Sequence, residues 1–286
     1  MMRGSNGFLG AAVVAAVLSL GAAGEVLAQG KPPLRSGIDG TFAPHAFPKL
    51  GGGLEGLNID LAAELSKRLG REILIDNATF SGLIPALNAG RYDLIMALVT
   101  LTRERAENML FTEPYITVEF QVALKRGTPP ISSMDDLRGK AISVNKGSLY
   151  DTYATQRAQE MGWEVQRYET QTDALQAVTA GRAFANIGGN TAIKFAAARN
   201  PQIQASIPVP GTRNTAAIPF RLGDTENRNA VELALECMKK DGTMAALSRK
   251  WFGVDPAPDS AEMTISPGFG PPGFPGYDPT PHELRC

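Results

Sequence analysis

The segment LVTLTRERAENMLFTEPY, residues 98–115, places two threonines and the run Arg103, Glu104, Arg105 where an apolar stretch, YDLIMALV, comes to an end. A guanidinium in that position has two chemical uses. It can fork onto a carboxylate, because its planar donors match both oxygens and stay charged when buried. Alternatively, Arg103 and Arg105 are solvated charges that pair with Glu104 or Glu107 at the surface. Thr102 suits the N-cap of a short helix and would hold Arg105 at the third helical position. A second constellation is NKGSLYD, residues 145–151, where Gly147 and Ser148 stand between a strand pattern and a helix pattern. Free backbone N–H groups at such a helix start can receive an anion, although Gly-Ser is also an ordinary strand-to-helix turn. His45, in APHAF, has no cysteine or assignable serine partner and reads as a lone surface histidine. Glu119 is the one candidate for a general acid, and no Gly-x-Ser-x-Gly elbow, HExxH pair or phosphate loop occurs. Two histidines and two cysteines are too few for a zinc or iron–sulfur framework, so no metal or cofactor is expected.

The elements that must position these residues alternate. LRSGID reads as a strand, and NIDLAAELSKRLG carries apolar residues at helical spacing until Gly70. EILID is a strand, GLIPALNAG a short helix, and YDLIMALV a buried strand. The pattern restarts after Gly127: AISVN strand, residues 149–161 helix, EVQRYE strand, residues 173–180 helix, AFANIG strand, residues 192–199 helix. Two further helices, residues 227–240 and 243–251, close the folded part. Strands alternating with helices predict an α/β protein with mostly parallel sheets flanked by helices. The restart predicts two lobes: residues 29–125 with 216–254 in lobe 1, and residues 126–215 in lobe 2. The crossings are expected at ALKRGTPP and PVPGTRNTAAIP, giving a two-strand hinge. A hinge between open sheets makes a cleft beyond the carboxyl ends of their strands, where ligands bind.

Composition sets the limits. The chain has 286 residues, is 43% hydrophobic and carries a formal net charge of -1, which gives no electrostatic reason to expect nucleic acid as a partner. Arg3, the apolar run FLGAAVVAAVLSL and the small residues Val26 and Ala28 have the layout of a secretory signal peptide over residues 1–28. The mature chain is expected to be exported and soluble.

GIDGTFAP, GLNIDLAAELSKRLG, ALNAGRYDLIMA, TLTRERAENMLFTEPY, LRGKAISVNKGS, ALQAVTAGR and MKKDGTMAALSRKWFG occur in that order over residues 34–254. In these segments the chain resembles the periplasmic solute-binding proteins for polar amino acids, the receptor components of ABC importers. The resemblance implies a type II bilobal fold and a monomeric periplasmic receptor without catalysis. It implies a small carboxylate-bearing ligand between the lobes and an inner-membrane permease as partner. Arg105 resembles the arginine that forks onto the ligand carboxylate, and Thr100 a hydroxyl position that assists it. Asp39 lies at the cleft mouth, where it accepts from a ligand ammonium or positions a loop. Phe42 matches an aromatic position that packs on the ligand, or is a core residue. Gly147 and Ser148 match the lobe 2 closing site. Asp60 and Asp93 are expected to be structural. A few relatives of the fold, cyclohexadienyl dehydratases among them, are enzymes, and a sensing or docking module is a further alternative.

Two departures stand out. Where the family's α-amino acid binders carry an aspartate for the ligand ammonium, this chain has Gly189 followed by Asn190. A buried ammonium without a carboxylate partner is costly. Either Asp39 or Glu119 supplies the charge, or Asn190 binds the ammonium through its carbonyl, or the ligand has no free amine. The second departure is the tail, residues 255–286, whose prolines and glycines predict an extended, partly disordered spacer unless its aromatics dock on the surface. Cys286 ends that tail. It either bridges to Cys237 or leaves two unpaired thiols.

Overall fold

The computed structural model describes residues 31–286, and the expected leader lies outside them. Among these residues the helices are α1 (Leu57–Leu69), α2 (Phe80–Asn88), α3 (Arg103–Ala106), α4 (Leu149–Met161), α5 (Gln171–Thr179), α6 (Asn190–Arg199), α7 (Thr225–Lys240) and α8 (Thr243–Phe252). α1 illustrates how the spacing works. Leu57, Leu61 and Leu65 recur on one face and are buried, each burial contributing about 2 kcal/mol. Gly70 then ends the helix with φ 56, a left-handed conformation that glycine adopts without strain.

Two five-stranded sheets carry the fold. In the first, Ile73–Asn77, Leu34–Ile38 and Leu94–Ile95 are parallel neighbours, continued by antiparallel Pro219–Phe220 and Leu110–Phe111. In the second, Glu164–Tyr168, Ala141–Asn145 and Ala185–Gly189 are parallel, continued by antiparallel Phe120–Lys125 and Ile203–Pro208. Each sheet therefore has a parallel core and an antiparallel flank. A small antiparallel sheet of Val99–Thr100, Asn214–Ala217 and Ile116–Val118 joins the segments that lead between them.

One crossing lies earlier than expected. Phe120–Lys125, placed by the sequence pattern in the first lobe, pairs with Ala185–Gly189 in the second sheet, Ala123 opposite Asn186. The first five residues of that strand are buried, so their apolar run suits a central strand of either sheet and does not reveal which. The Gly127 turn, with φ 90, follows this strand instead of marking the crossing.

The tail is docked along the protein. Residues 255–286 contain no helix, yet Ser260, Ala261 and Glu262 are buried. The tail's backbone polar groups meet side chains of α7. Arg228 donates to the carbonyls of Phe111 and Gly276, Lys239 to those of Pro114 and Thr264, and Glu232 accepts from the Gly270 N–H at 2.6 Å. The Phe269 ring stacks on His282 at 4.2 Å, and His282 contacts Glu236 at 2.8 Å. Cys237, itself buried, is bridged to Cys286. The spacer expectation is thus overturned, because composition shows where regular structure is disfavoured and says nothing of which surface the segment covers.

Candidate functional site

The cleft is built from strand ends and the first turns of helices. Arg105 is held as expected: Thr102 caps α3, its Oγ1 accepting from the Arg105 N–H at 3.2 Å. The guanidinium then folds back, Nη1 donating to the Thr100 carbonyl at 2.9 Å, with the Phe80 ring 5.9 Å away. Among the described residues Arg105 has no ion pair, and burial lowers its pKa. Thr100, Asp39 and Phe42, all buried, line the same cavity together with Phe80, His45, Ser148 and Tyr150. The cavity measures about 20 Å³, room for about one water molecule.

Asp39 does two things at once. Its Oδ1 accepts from the Thr41 N–H at 2.9 Å and the Thr41 hydroxyl at 2.6 Å, which fixes the loop carrying Phe42. Among the described residues its Oδ2 is buried without a hydrogen-bond partner of normal geometry; burial raises the carboxyl's pKa, opposed by Thr41 and by the nearby Phe80 N–H. An orphaned carboxylate oxygen in an apolar cleft is a place for a cation.

His45 is a correction. It is fully buried and bridges the two lobes rather than lying on the surface. Asn58 spends both amide hydrogens on the Met96 carbonyl and the Tyr115 hydroxyl, so its Oδ1 must accept from His45 Nδ1 at 3.0 Å. Nε2 then accepts from the Thr191 hydroxyl at 2.8 Å. Both ring nitrogens are occupied in the neutral form, and burial lowers the imidazole pKa to about 4.

Of the other candidates, Ser148 lines the cavity, whereas Gly147, Asn190 and Glu119 do not. The Gly147 N–H donates to Asp151 Oδ2 at 3.1 Å and the Ser148 N–H to the Asn145 carbonyl at 3.3 Å, so these donors are spent within the turn. Ser148 caps α4, accepting from the Asp151 N–H, and lines the cavity in that role. Asn190 and Glu119 face a separate depression beside Ile116–Val118 and α8, and their backbones bond to each other's residues. Neither lines the cleft, because Asn190 begins α6 and turns away behind Gly189. Asp60 binds Lys250 and Trp251, and Asp93 binds Arg35 and Arg221.

Phe80 and Tyr150 were missed from sequence. Both follow the carboxyl end of a parallel strand and open a helix, the position where open α/β sheets hold ligands, so strand-end position was the available signal.

Comparison with known proteins accords with this geometry. Residues 34–254 match the model of the bacterial extracellular solute-binding proteins, family 3. The L-cystine-binding protein TcyJ of Escherichia coli (strain K12) is 30% identical over 220 residues, covering 77% of this chain and 82% of the relative. An ancestral arginine-binding protein solved with arginine is 32% identical with a TM-score of 0.75, over 78% of this chain and all of that one. The ancestral amino acid-binding protein AncCDT-1, a precursor of cyclohexadienyl dehydratase, is 31% identical with a TM-score of 0.70, over 77% and 95% of the two chains. With a family match that spans both sheets and the cleft between them, this chain belongs to the bacterial extracellular solute-binding proteins, family 3.

Proposed function

We propose that the protein is the periplasmic receptor of an ABC import system, a monomer that captures an amino acid or a close derivative and presents it to an inner-membrane permease. The observation that carries this reading is the Arg105 guanidinium, facing the cleft without a carboxylate partner. A ligand carboxylate would fork onto it. Asp39, with its free buried oxygen, would take the ligand's cationic group, and Phe42 and Phe80 would pack on its apolar part. A ligand with both charges would leave the cleft neutral overall, the arrangement that costs least to bury. Relatives that bind cystine and arginine support this class of ligand.

The cleft is closed down to about 20 Å³, so an amino acid would enter only when the lobes part, and as they close again the side chains that fill the cavity would give way to it. Closure would be the signal read by the permease. A second reading, a dehydratase, draws on the AncCDT-1 likeness and on Asp39, a buried acid with a raised pKa. Against it, Glu119 lies outside the cleft and His45 is bonded at both nitrogens.

A thermal-shift screen against amino acids, opines and simple carboxylates tests the proposal. Ligand at 100 times its Kd should stabilise the protein by about 2.7 kcal/mol without being consumed. Conversion of a stabilising ligand would favour the enzyme, and a flat response to the whole panel would refute the receptor reading.

A further inference from the structure

Gly189 is a glycine without a backbone reason to be one. It ends the strand Ala185–Gly189 and precedes α6 with φ -70, a conformation open to any residue. The reason is a neighbour. A Cβ at this position would lie 2.7 Å from the Tyr150 hydroxyl and 3.5 Å from the tip of the Phe42 ring. The Tyr150 ring cannot easily give way, since it packs edge-to-face with Phe120 at 4.8 Å and Phe120 packs on Tyr153 in turn. Tyr150 is buried, its hydroxyl has no hydrogen-bond partner among the described residues, and it borders the cleft close enough to feel the Arg105 charge.

We infer that Tyr150 is a specificity-determining, ligand-contacting residue: its hydroxyl bonds the ligand beside the carboxylate held by Arg105, and its ring denies position 189 any side chain. The second lobe then lines the cleft without a charge, and the ligand's cationic group must turn to Asp39 in the first. Burial keeps the Tyr150 hydroxyl protonated, so it donates to carboxylate oxygen or accepts from a ligand N–H. The inference rests on the amino acid reading above and adds the residue that sets which face of the ligand is left uncharged.

The experiment is calorimetry on the full chain with L-arginine, L-cystine and the desamino analogue of each. Tyr150→Phe keeps the ring and removes the hydroxyl, and is expected to weaken the bound amino acid by about tenfold to a hundredfold with the melting temperature unchanged. Gly189→Asp alone is expected to weaken it at least about tenfold through the clash. Adding Tyr150→Ala to Gly189→Asp makes room for the new carboxylate and should tighten amino acid binding over Tyr150→Ala alone, with no gain for the desamino analogue. Tyr150→Phe within about twofold of native, or Gly189→Asp binding as tightly as native, overturns the inference and leaves the amino acid reading standing. A desamino analogue that binds the native chain as tightly as its parent, with Tyr150→Phe still weakening both, overturns the Asp39 assignment alone. Failure of both amino acids to bind the native chain overturns the inference for these ligands, and the amino acid reading falls with it when the whole thermal-shift panel is flat as well.

Discussion

At the scale of single residues, the charged Arg105 and the neutral, buried His45 have separable consequences. If a ligand carboxylate forks onto Arg105, as proposed, Arg105→Ala leaves it buried and unpaired. Affinity is expected to fall by about 2–5 kcal/mol while the fold survives, and calorimetry with the stabilising ligand checks it. A change below about threefold would mean that Arg105 faces no anion. His45 yields a pH prediction. Its folded pKa, about 4, lies below the ordinary 6.5, so the unfolded chain takes up a proton first as pH falls. The stability it supports is complete above about pH 6.5 and is lost progressively down to about pH 4. Between about pH 7 and pH 5 the native chain should lose about 2 kcal/mol more than His45→Asn, by urea midpoints at each pH. The contrast between these residues explains what was legible. Arg105 and its cap Thr102 are local, a hydroxyl three residues before the guanidinium's own backbone N–H, and can be read from spacing. His45 depends on Asn58 and Thr191, 13 and 146 residues away, and no local pattern carries that.

At the scale of elements, α7 shows why periodicity reaches the fold and stops short of the tail. Its apolar stripe of Val231, Leu235 and Met238 predicts the helix and its inward face. Arg228, Glu232, Glu236 and Lys239 line the flank beside that stripe at helical spacing, and all four are buried where the tail lies over them. The strand–helix alternation was legible for the same reason as the stripe, being local and periodic. The tail's partners and the sheet that receives Phe120–Lys125 were not, being choices among equally apolar surfaces. Burial lifts Glu232 to about 8, above its ordinary 4.5, despite Arg228 4.0 Å away. An acid whose pKa is raised on folding contributes stability that is lost as pH climbs through that window. From about pH 6 to pH 9 the native chain should lose roughly 2 kcal/mol more than Glu232→Gln, measured by denaturant midpoints. The disulfide adds a second restraint on the same pair of elements. Cys237 and Cys286 are 49 residues apart in sequence, and replacing both by alanine should cost about 2–4 kcal/mol by freeing that loop in the unfolded chain. Equal denaturant midpoints for the two proteins would show that the docked tail needs no crosslink.

At the scale of the whole molecule, the closed form is held by direct bonds between the lobes as well as by any ligand. Among the described residues three side-chain hydrogen bonds cross the cleft: His45 with Thr191 at 2.8 Å, Ser81 to Glu169 at 3.0 Å, and Thr172 to the Thr41 carbonyl at 3.2 Å. They are unequal. The latter two lie in solvent, where such bonds contribute little, while His45 is sealed in the core and tied through Asn58 to Tyr115. Removing the Thr191 hydroxyl while keeping its shape, by Thr191→Val, strands the buried Nε2 acceptor whenever the lobes close. The closed state should lose about 1–3 kcal/mol. Ligand binding needs that state, so the apparent Kd rises as its population falls, by about fivefold to a hundredfold. Ser81→Ala and Thr172→Ala should change affinity by less than about threefold, as expected for exposed bonds. Small-angle scattering on the ligand-free proteins separates population from contact, since Thr191→Val should enlarge the radius of gyration and saturating ligand should return it to the native bound value. A Thr191→Val protein with native affinity and native dimensions would show that His45 is a packing residue of the first lobe, with closure left to the ligand alone.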